Sequence, residues 1–205
     1  MNVDRSSLSP MMMQYFEVKD KYPDHIVFFR LGDFYEMFFD DAVTVSRALE
    51  LTLTGRDCGQ AERAPMCGIP YHSAEIYIKK LIDLGFRVAI CEQMEDPKLA
   101  KGIVKRDVIR IVTPGTLTES NLLDDSKNNF IGALYVHDGN AAICFADIST
   151  GTAELFTHKD KTAPELTEAL INEISRFSPA ELLFNAEAAD MTEVREFIRT
   201  RMDLG

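Results

Sequence analysis

The stretch Ile26–Phe39, IVFFRLGDFYEMFF, decides how the first half of the chain is read. "IVFFRL" (Ile26–Leu31) is β-branched and aromatic, Gly32-Asp33 is a turn signal, and "FYEMFF" (Phe34–Phe39) returns as a second arm, so a β-hairpin is predicted. Successive side chains of a strand point to opposite faces, which puts Phe34 and Glu36 on one side and Tyr35 and Met37 on the other. In a helix, residues two apart would diverge and the pairing would carry no meaning. Two readings of the Phe34 face stand. Phe34 is core beside a solvated edge glutamate, or both residues point outward. Because a carboxylate is not buried cheaply, the outward reading leaves an aromatic exposed beside a tight turn, a shape that stacks on a flat ligand or enters a base step. A general-acid role for Glu36 needs a partner, and Asp33, Asp40, Asp41 and His72 are not evidently placed to serve as one.

The neighbouring elements are read from similar signals. Ser9-Pro10 reads as an N-cap and first helical residue, opening a helix to about Lys21. Asp40 is expected to cap a short helix in which Ala42, Val45, Ala48 and Leu49 recur at helical spacing. "ELTLT" (Glu50–Thr54) alternates as a strand, and Gly55–His72, rich in Gly and Pro, reads as a long loop of the kind that carries function. Ser73 starts an amphipathic helix that stops at Gly85. "FRVAICEQ" and "IVKRDVIRIVT" complete a mixed sheet. A polar stretch, Thr113–Asn129, marks a domain boundary. Beyond it come three strand-like runs with turns at His137–Asn140 and Gly151, then helix "APELTEALINEISRF", strand "PAELLFN" and helix "MTEVREFIRTRM". That order predicts a ribonuclease-H-like α/β domain, interrupted before its sheet is finished.

Composition narrows the function classes. The 205 residues are 46% apolar, enough for one large or two small cores, and no run is long enough to span a membrane. The N-terminal residues lack the basic flank and apolar run of a signal peptide. The four cysteines form no CxxC pair, which argues for reduced thiols in the cytoplasm and against a zinc site. The net charge of −11 argues against indiscriminate nucleic-acid binding, yet it is uneven. Residues 1–120 hold 15 Lys and Arg against 18 Asp and Glu; the remainder hold 7 against 15. The first part is thus nearly neutral, and Lys98, Lys101, Lys105, Arg106 and Arg110 form either a solvated strand face or a phosphate-contacting edge. Asp147 in "FADISTG" lies where a first metal-binding aspartate of a ribonuclease-H-like nuclease would lie, but Asp138 and Glu154 are unconvincing partners for two-metal chemistry. No GxxxxGK[ST] occurs, so there is no P-loop.

Several long motifs in order, "SPMMMQY", "FFRLGDFYEMFFDDA", "LTLTGR", "PMCGIPYH", "YIKKLIDLGFRVAICEQMEDP" and "RDVIRIVTPGT", resemble the mismatch-recognition domain of the bacterial MutS family, and "ADISTG" together with the residues after it is similar to its connector domain. The resemblance implies a recognition domain over residues 1–115, a linker over 116–127 and an incomplete connector domain over 128–205. It implies that Phe34 wedges into the minor groove and stacks on a mispaired base while Glu36 hydrogen-bonds that base. It places Leu31, Met66, Gly68, Ile69 and Pro70 close to DNA, with Arg56 and Arg110 as further backbone contacts chosen by charge and location. It implies no catalytic residue and no metal or cofactor in this chain; the ATP and Mg chemistry and the homodimer contacts of the longer family proteins lie in regions without a counterpart here. A MutL-type repair partner would meet the connector domain, and the setting would be the bacterial cytoplasm, with the nucleoid. The alternative reading is a metal-dependent nuclease built on Asp147.

Overall fold

A computed structural model describes residues 5–97, 99–100, 102–118 and 127–202. The chain divides into two compact units, Met1–Val112 and Thr113–Gly205. The division falls at the start of the polar stretch Thr113–Asn129. Of the expected linker over 116–127, only residues 116–118 and 127 are among those described.

In the first unit the helix α1 (Pro10–Lys21) starts with Pro10 at its first turn and Ser9 at the N-cap, although the Ser9 side chain makes no capping bond. The strands are β1 (His25–Leu31), β2 (Phe34–Phe38), β3 (Thr54–Arg56), β4 (Ala64–Pro70), β5 (Arg87–Gln93) and β6 (Arg106–Val112), with α2 (Phe39–Ala48) after β2 and α3 (Ala74–Asp83) before β5. They form one mixed sheet in the order β3-β4-β2-β1-β5-β6, in which β1 and β5 run parallel and the other neighbours antiparallel. Four consecutive residues of β1, Ile26 to Phe29, are buried, as are Val88 to Cys91 of β5. Strands buried at every position need cover on both faces. Met12, Tyr15 and Val18 of α1 supply it on one side, against Val27, Phe29, Phe38, Ala89 and Cys91. On the other side α2 packs against β4 and α3 against β5. α3 ends in a glycine-closed cap. Gly85 has φ +83°, its N–H donates to Ile82 O at 2.9 Å, and the Phe86 N–H reaches back to Leu81 O at 2.9 Å.

Three expectations for this unit need correction. α2 begins at Phe39, with Phe38 at the N-cap, so Asp40 lies inside the first turn and not at the cap position. Phe39 itself turns the chain, at φ +52°. "ELTLT" is not a strand until Thr54, because Glu50 sits at φ +55° and breaks the extension. Much of the supposed loop Gly55–His72 is strand: β4 pairs with β2 on one side and β3 on the other. Its glycine and prolines hid it, and Pro65 and Pro70 are tolerated because they stand near its two ends.

The second unit is a meander of β7 (Phe130–His137), β8 (Asn140–Asp147) and β9 (Thr152–His158), followed by α4 (Ala163–Phe177), β10 (Glu181–Phe184), α5 (Ala186–Ala189) and α6 (Thr192–Arg201). β10 adds parallel to β7, giving the order β10-β7-β8-β9. Leu134, Val136, Ala141, Ile143 and Phe145 face Leu166, Leu170, Ile174 and Phe177 of α4 and Val194 and Ile198 of α6. The Phe145 and Phe177 rings stack at 4.3 Å. α4 opens with a reciprocal cap between Thr162 and Glu165. The short α5 was not expected; Asn185 caps it and also accepts from the Val136 N–H at 3.0 Å.

Asp147, the residue of the nuclease reading, is 1% exposed at the end of β8. Its carboxylate accepts from Ser149 Oγ (2.6 Å) and from the N–H groups of Asn129 (3.1 Å), Ser149 (2.9 Å) and Thr150 (3.3 Å). Burial alone would raise its pKa, but these donors outweigh burial and hold it below the usual aspartate value. The residue closes the β8–β9 turn. Among the described residues no group of three or more His, Cys, Asp or Glu could hold a metal ion, so the nuclease reading has no support. A depressed folded-state pKa contributes stability above the unfolded value, and that stability is lost as pH falls through the folded one. Asp147→Asn is therefore expected to cost about 1–3 kcal/mol at neutral pH and progressively less below about pH 5. Urea melts at pH 7 and pH 3 check this; an equal loss at both would contradict the assignment.

Candidate nucleic-acid interface

The β1–β2 hairpin turns through Gly32, at φ +57°, and Asp33. Its register sets Leu31 opposite Phe34, Arg30 opposite Tyr35 and Phe29 opposite Glu36. β4 continues the rows, with Pro70 beside Phe34, Ile69 beside Tyr35, Gly68 beside Glu36 and Met66 beside Phe38. Directly paired residues share a face. One face therefore presents an apolar row of Leu31, Phe34 and Pro70, and next to it a row of Phe29, Glu36 and Gly68.

That face is not simply the outside of the sheet. It is the one covered by α1: Phe29 and Phe38 on it are 0% exposed, whereas Phe34 is 47% exposed. The cover stops short of the turn, and the same aromatic stripe emerges at its end. Tyr35 and Met37 are buried on the opposite face, as the alternation predicts.

Glu36 differs from expectation. Its side chain is only 13% exposed, and Oε2 accepts from Arg56 Nη1 at 2.5 Å. Arg56 belongs to β3, so its side chain reaches across β4 to meet Glu36. A Cβ added at Gly68, in between, would lie 3.5 Å from Glu36 Cγ, so the glutamate stem rests on the glycine backbone.

A second set of polar residues braces the turn from the other face. Arg30 Nη1 pairs with Glu92 Oε1 at 3.1 Å, and the Tyr35 hydroxyl donates to that same oxygen. Arg30 Nε also donates to Gly32 O at 2.5 Å, and its guanidinium lies 3.7 Å above the centre of the Tyr71 ring. The Tyr71 N–H holds Asp33 O at 3.0 Å. Burial, then the bond to Glu92, raises the Tyr35 pKa far above its usual value, so the phenol stays a donor. Sequence reading missed Arg30, Glu92 and Tyr71. The signal that could have found the first was its place opposite Tyr35 on the hairpin; the other two required the register of β5 and the position of β4.

The structure brings together Leu31, Phe34, Glu36, Gly68, Pro70 and, through Glu36, Arg56. Met66 is on the same face, farther from the turn beside Phe38. Two residues are not brought in. Ile69 is buried on the opposite face, beside Tyr35. Arg110 pairs with Ile90 beyond a bulge in β5–β6, which turns it to the Tyr35 side of the sheet. The basic stretch does not act as one edge. Arg106 is buried, donating to Arg30 O (2.8 Å), Gln14 Oε1 (2.9 Å) and Val104 O (3.0 Å) with its guanidinium over Phe29. Lys105 is exposed, and Lys98 and Lys101 lie outside the described residues. Cys67 and Cys91 are pushed up to about 12 by burial, which keeps them as thiols. Among the described residues no helix is long and apolar enough to cross a membrane.

Two family models match: MutS domain I over residues 9–121 and MutS domain II over residues 129–204. The chain is 59% identical over 181 residues to a protein of Clostridium tetani (strain Massachusetts / E88) named DNA mismatch repair protein MutS, covering 88% of this chain and 20% of that protein. A protein of the same name from Acetivibrio thermocellus is 54% identical over 97% of this chain and 22% of its own length. One from Alkaliphilus oremlandii (strain OhILAs) is 52% identical over 96% and 22%. The chain thus spans about a fifth of the curated relatives it matches, and the matched models include no ATPase domain. It belongs to the MutS family, as that family's domain I followed by residues of its domain II.

Proposed function

We propose that this chain is the mismatch-sensing end of a DNA-repair protein, with Phe34 as a wedge and Glu36 as the group that hydrogen-bonds the displaced base. The observation that carries this reading is the uncovered Phe34 at the end of an otherwise buried aromatic stripe, on a turn braced by Arg30, Glu92 and Tyr71. An exposed aromatic on a rigid turn can enter a base step from the minor groove. Unstacking a step costs a few kcal/mol, and stacking on the ring returns roughly 1–3 kcal/mol. At a mispair part of the pairing energy is already lost, so the same kink costs less there than in intact duplex. A wedge thereby finds errors without reading sequence. Leu31 and Pro70 flank the ring, while Gly68, Met66 and the Ile69 backbone form the adjoining strand. Arg110 would contact a phosphate only from the far face.

In the longer relatives, ATP hydrolysis, homodimer contacts and a MutL-type partner at the connector domain would complete the machine, in the bacterial cytoplasm. The isolated chain is accordingly expected to bind weakly. The test is a titration of this chain with duplexes that differ only in one mispaired or unpaired base. Preference for the defective duplex is expected, and equal affinity overturns the reading. Glu36→Gln, which removes a negative charge from among phosphates, is expected to tighten binding to fully paired duplex by about fivefold, the equivalent of ~1 kcal/mol. Unchanged or weaker binding would exclude a repulsive role for Glu36.

A further inference from the structure

We infer that Arg56 is a specificity-determining residue that works through Glu36, the two forming one neutral unit in which each charge restrains the other. The inference rests on the proposed function and extends it to a residue that sequence reading took for a simple phosphate contact. Arg56 Nη1 lies 2.5 Å from Glu36 Oε2, and the Glu36 side chain is 13% exposed while the Arg56 side chain is 36% exposed. A carboxylate held through Oε2 in so covered a side chain is directed by the guanidinium, and Oε1 is the atom that would accept from a base. A guanidinium so engaged is partly withheld from phosphates, which otherwise give affinity for any duplex. Arg56 stands on β3, the outermost strand, and reaches Glu36 across β4, where Gly68 pairs with Glu36. With the pair intact, the unit adds little to sequence-independent binding. Removing Glu36 alone converts it into a free cation beside the wedge.

This makes the effect of Glu36→Gln conditional on Arg56, which repulsion between Glu36 and phosphates does not. The experiment is a double-mutant cycle in this chain, E36Q, R56Q and E36Q/R56Q, with R56K as the conservative variant. Each is titrated with paired and mispaired duplexes over a range of salt concentrations. E36Q is expected to tighten paired-duplex binding and to steepen the salt dependence by about one phosphate contact, a slope change of roughly 0.9. In the R56Q background both effects are expected to shrink markedly, to what direct repulsion between Glu36 and phosphates contributes, and R56K is expected to restore them in part. R56Q alone is expected to lower the preference for mispaired duplex, because Glu36 loses its orientation. Equal tightening by E36Q with and without Arg56 overturns the inference, as does an R56Q variant that loses the same affinity for both duplexes. Melting curves separate these results from unfolding. Failure of the proposed function looks different: the unsubstituted chain then shows no preference for mispaired duplex, or Phe34→Ala leaves that preference intact. Absence of any DNA binding by the folded chain overturns both.

Discussion

Replacing Phe34 by alanine is expected to erase the preference for mispaired duplex while leaving the melting temperature within a few degrees. The two halves of that expectation have separate physical grounds. Loss of preference is expected because the ring would offset the unstacking cost by roughly 1–3 kcal/mol, a factor of about 5–150 in affinity for the kinked duplex. Paired duplex, which the wedge does not open, should be bound almost as before. Retention of stability is expected from exposure: Phe34 is half open, whereas its neighbours Phe29 and Phe38 are sealed under α1. Truncating one of those is expected to cost about 3–5 kcal/mol through the cavity it leaves. Titrations with paired and mispaired duplex, together with a thermal melt, check both halves. A melted or insoluble Phe34→Ala would make Phe34 a core residue, and an unaltered preference would remove it from recognition.

The contrast between Phe34 and Phe38 also shows what the sequence could disclose. Alternation alone separates Phe34 and Glu36 from Tyr35 and Met37, and the structure keeps that division. It cannot say where along a face the cover ends, since that depends on how far α1 reaches over residues distant in sequence. The long periodic elements, α1, α3, α4 and the β7–β9 meander, were legible because each carries its own apolar pattern. β4 was not: three of its seven residues are Gly or Pro, and its strand character comes from pairing with β2 and β3. With β4 unrecognised, the register that carries Arg56 to Glu36 was out of reach, and the two looked like independent charges. Ile69 and Arg110 show the complementary limit. A motif places a residue near a site in sequence, but which face it occupies depends on strand pairing and, for Arg110, on a bulge.

Of the two aspartates after the hairpin, Asp41 carries the largest expected effect on stability. It is 4% exposed and joins three elements. Its Oδ2 accepts from the Tyr15 hydroxyl and the Val27 N–H, both at 3.0 Å, and Oδ1 pairs with Lys19 Nζ at 2.8 Å. α1, β1 and α2 therefore meet on one carboxylate. Asp41→Ala would leave the Val27 donor without this partner and weaken the support of the other two, though Tyr15 keeps Phe38 O and Lys19 keeps His25 O. Those remaining bonds, and the partial access of Lys19 to water, place the loss near the lower end of the range for breaking a buried pair, about 3 kcal/mol. In a unit of this size that lowers Tm by roughly 10–20 °C. Asp40→Ala, one residue earlier and exposed in the first turn of α2, is expected to cost under about 1 kcal/mol, the range for an exposed acidic residue near a helix N-terminus. Thermal melts of the two variants decide the matter. Equal, small shifts would mean that Asp41 does not hold α1 to the sheet, and the exposure of Phe34 would then need an origin other than the fixed reach of that helix.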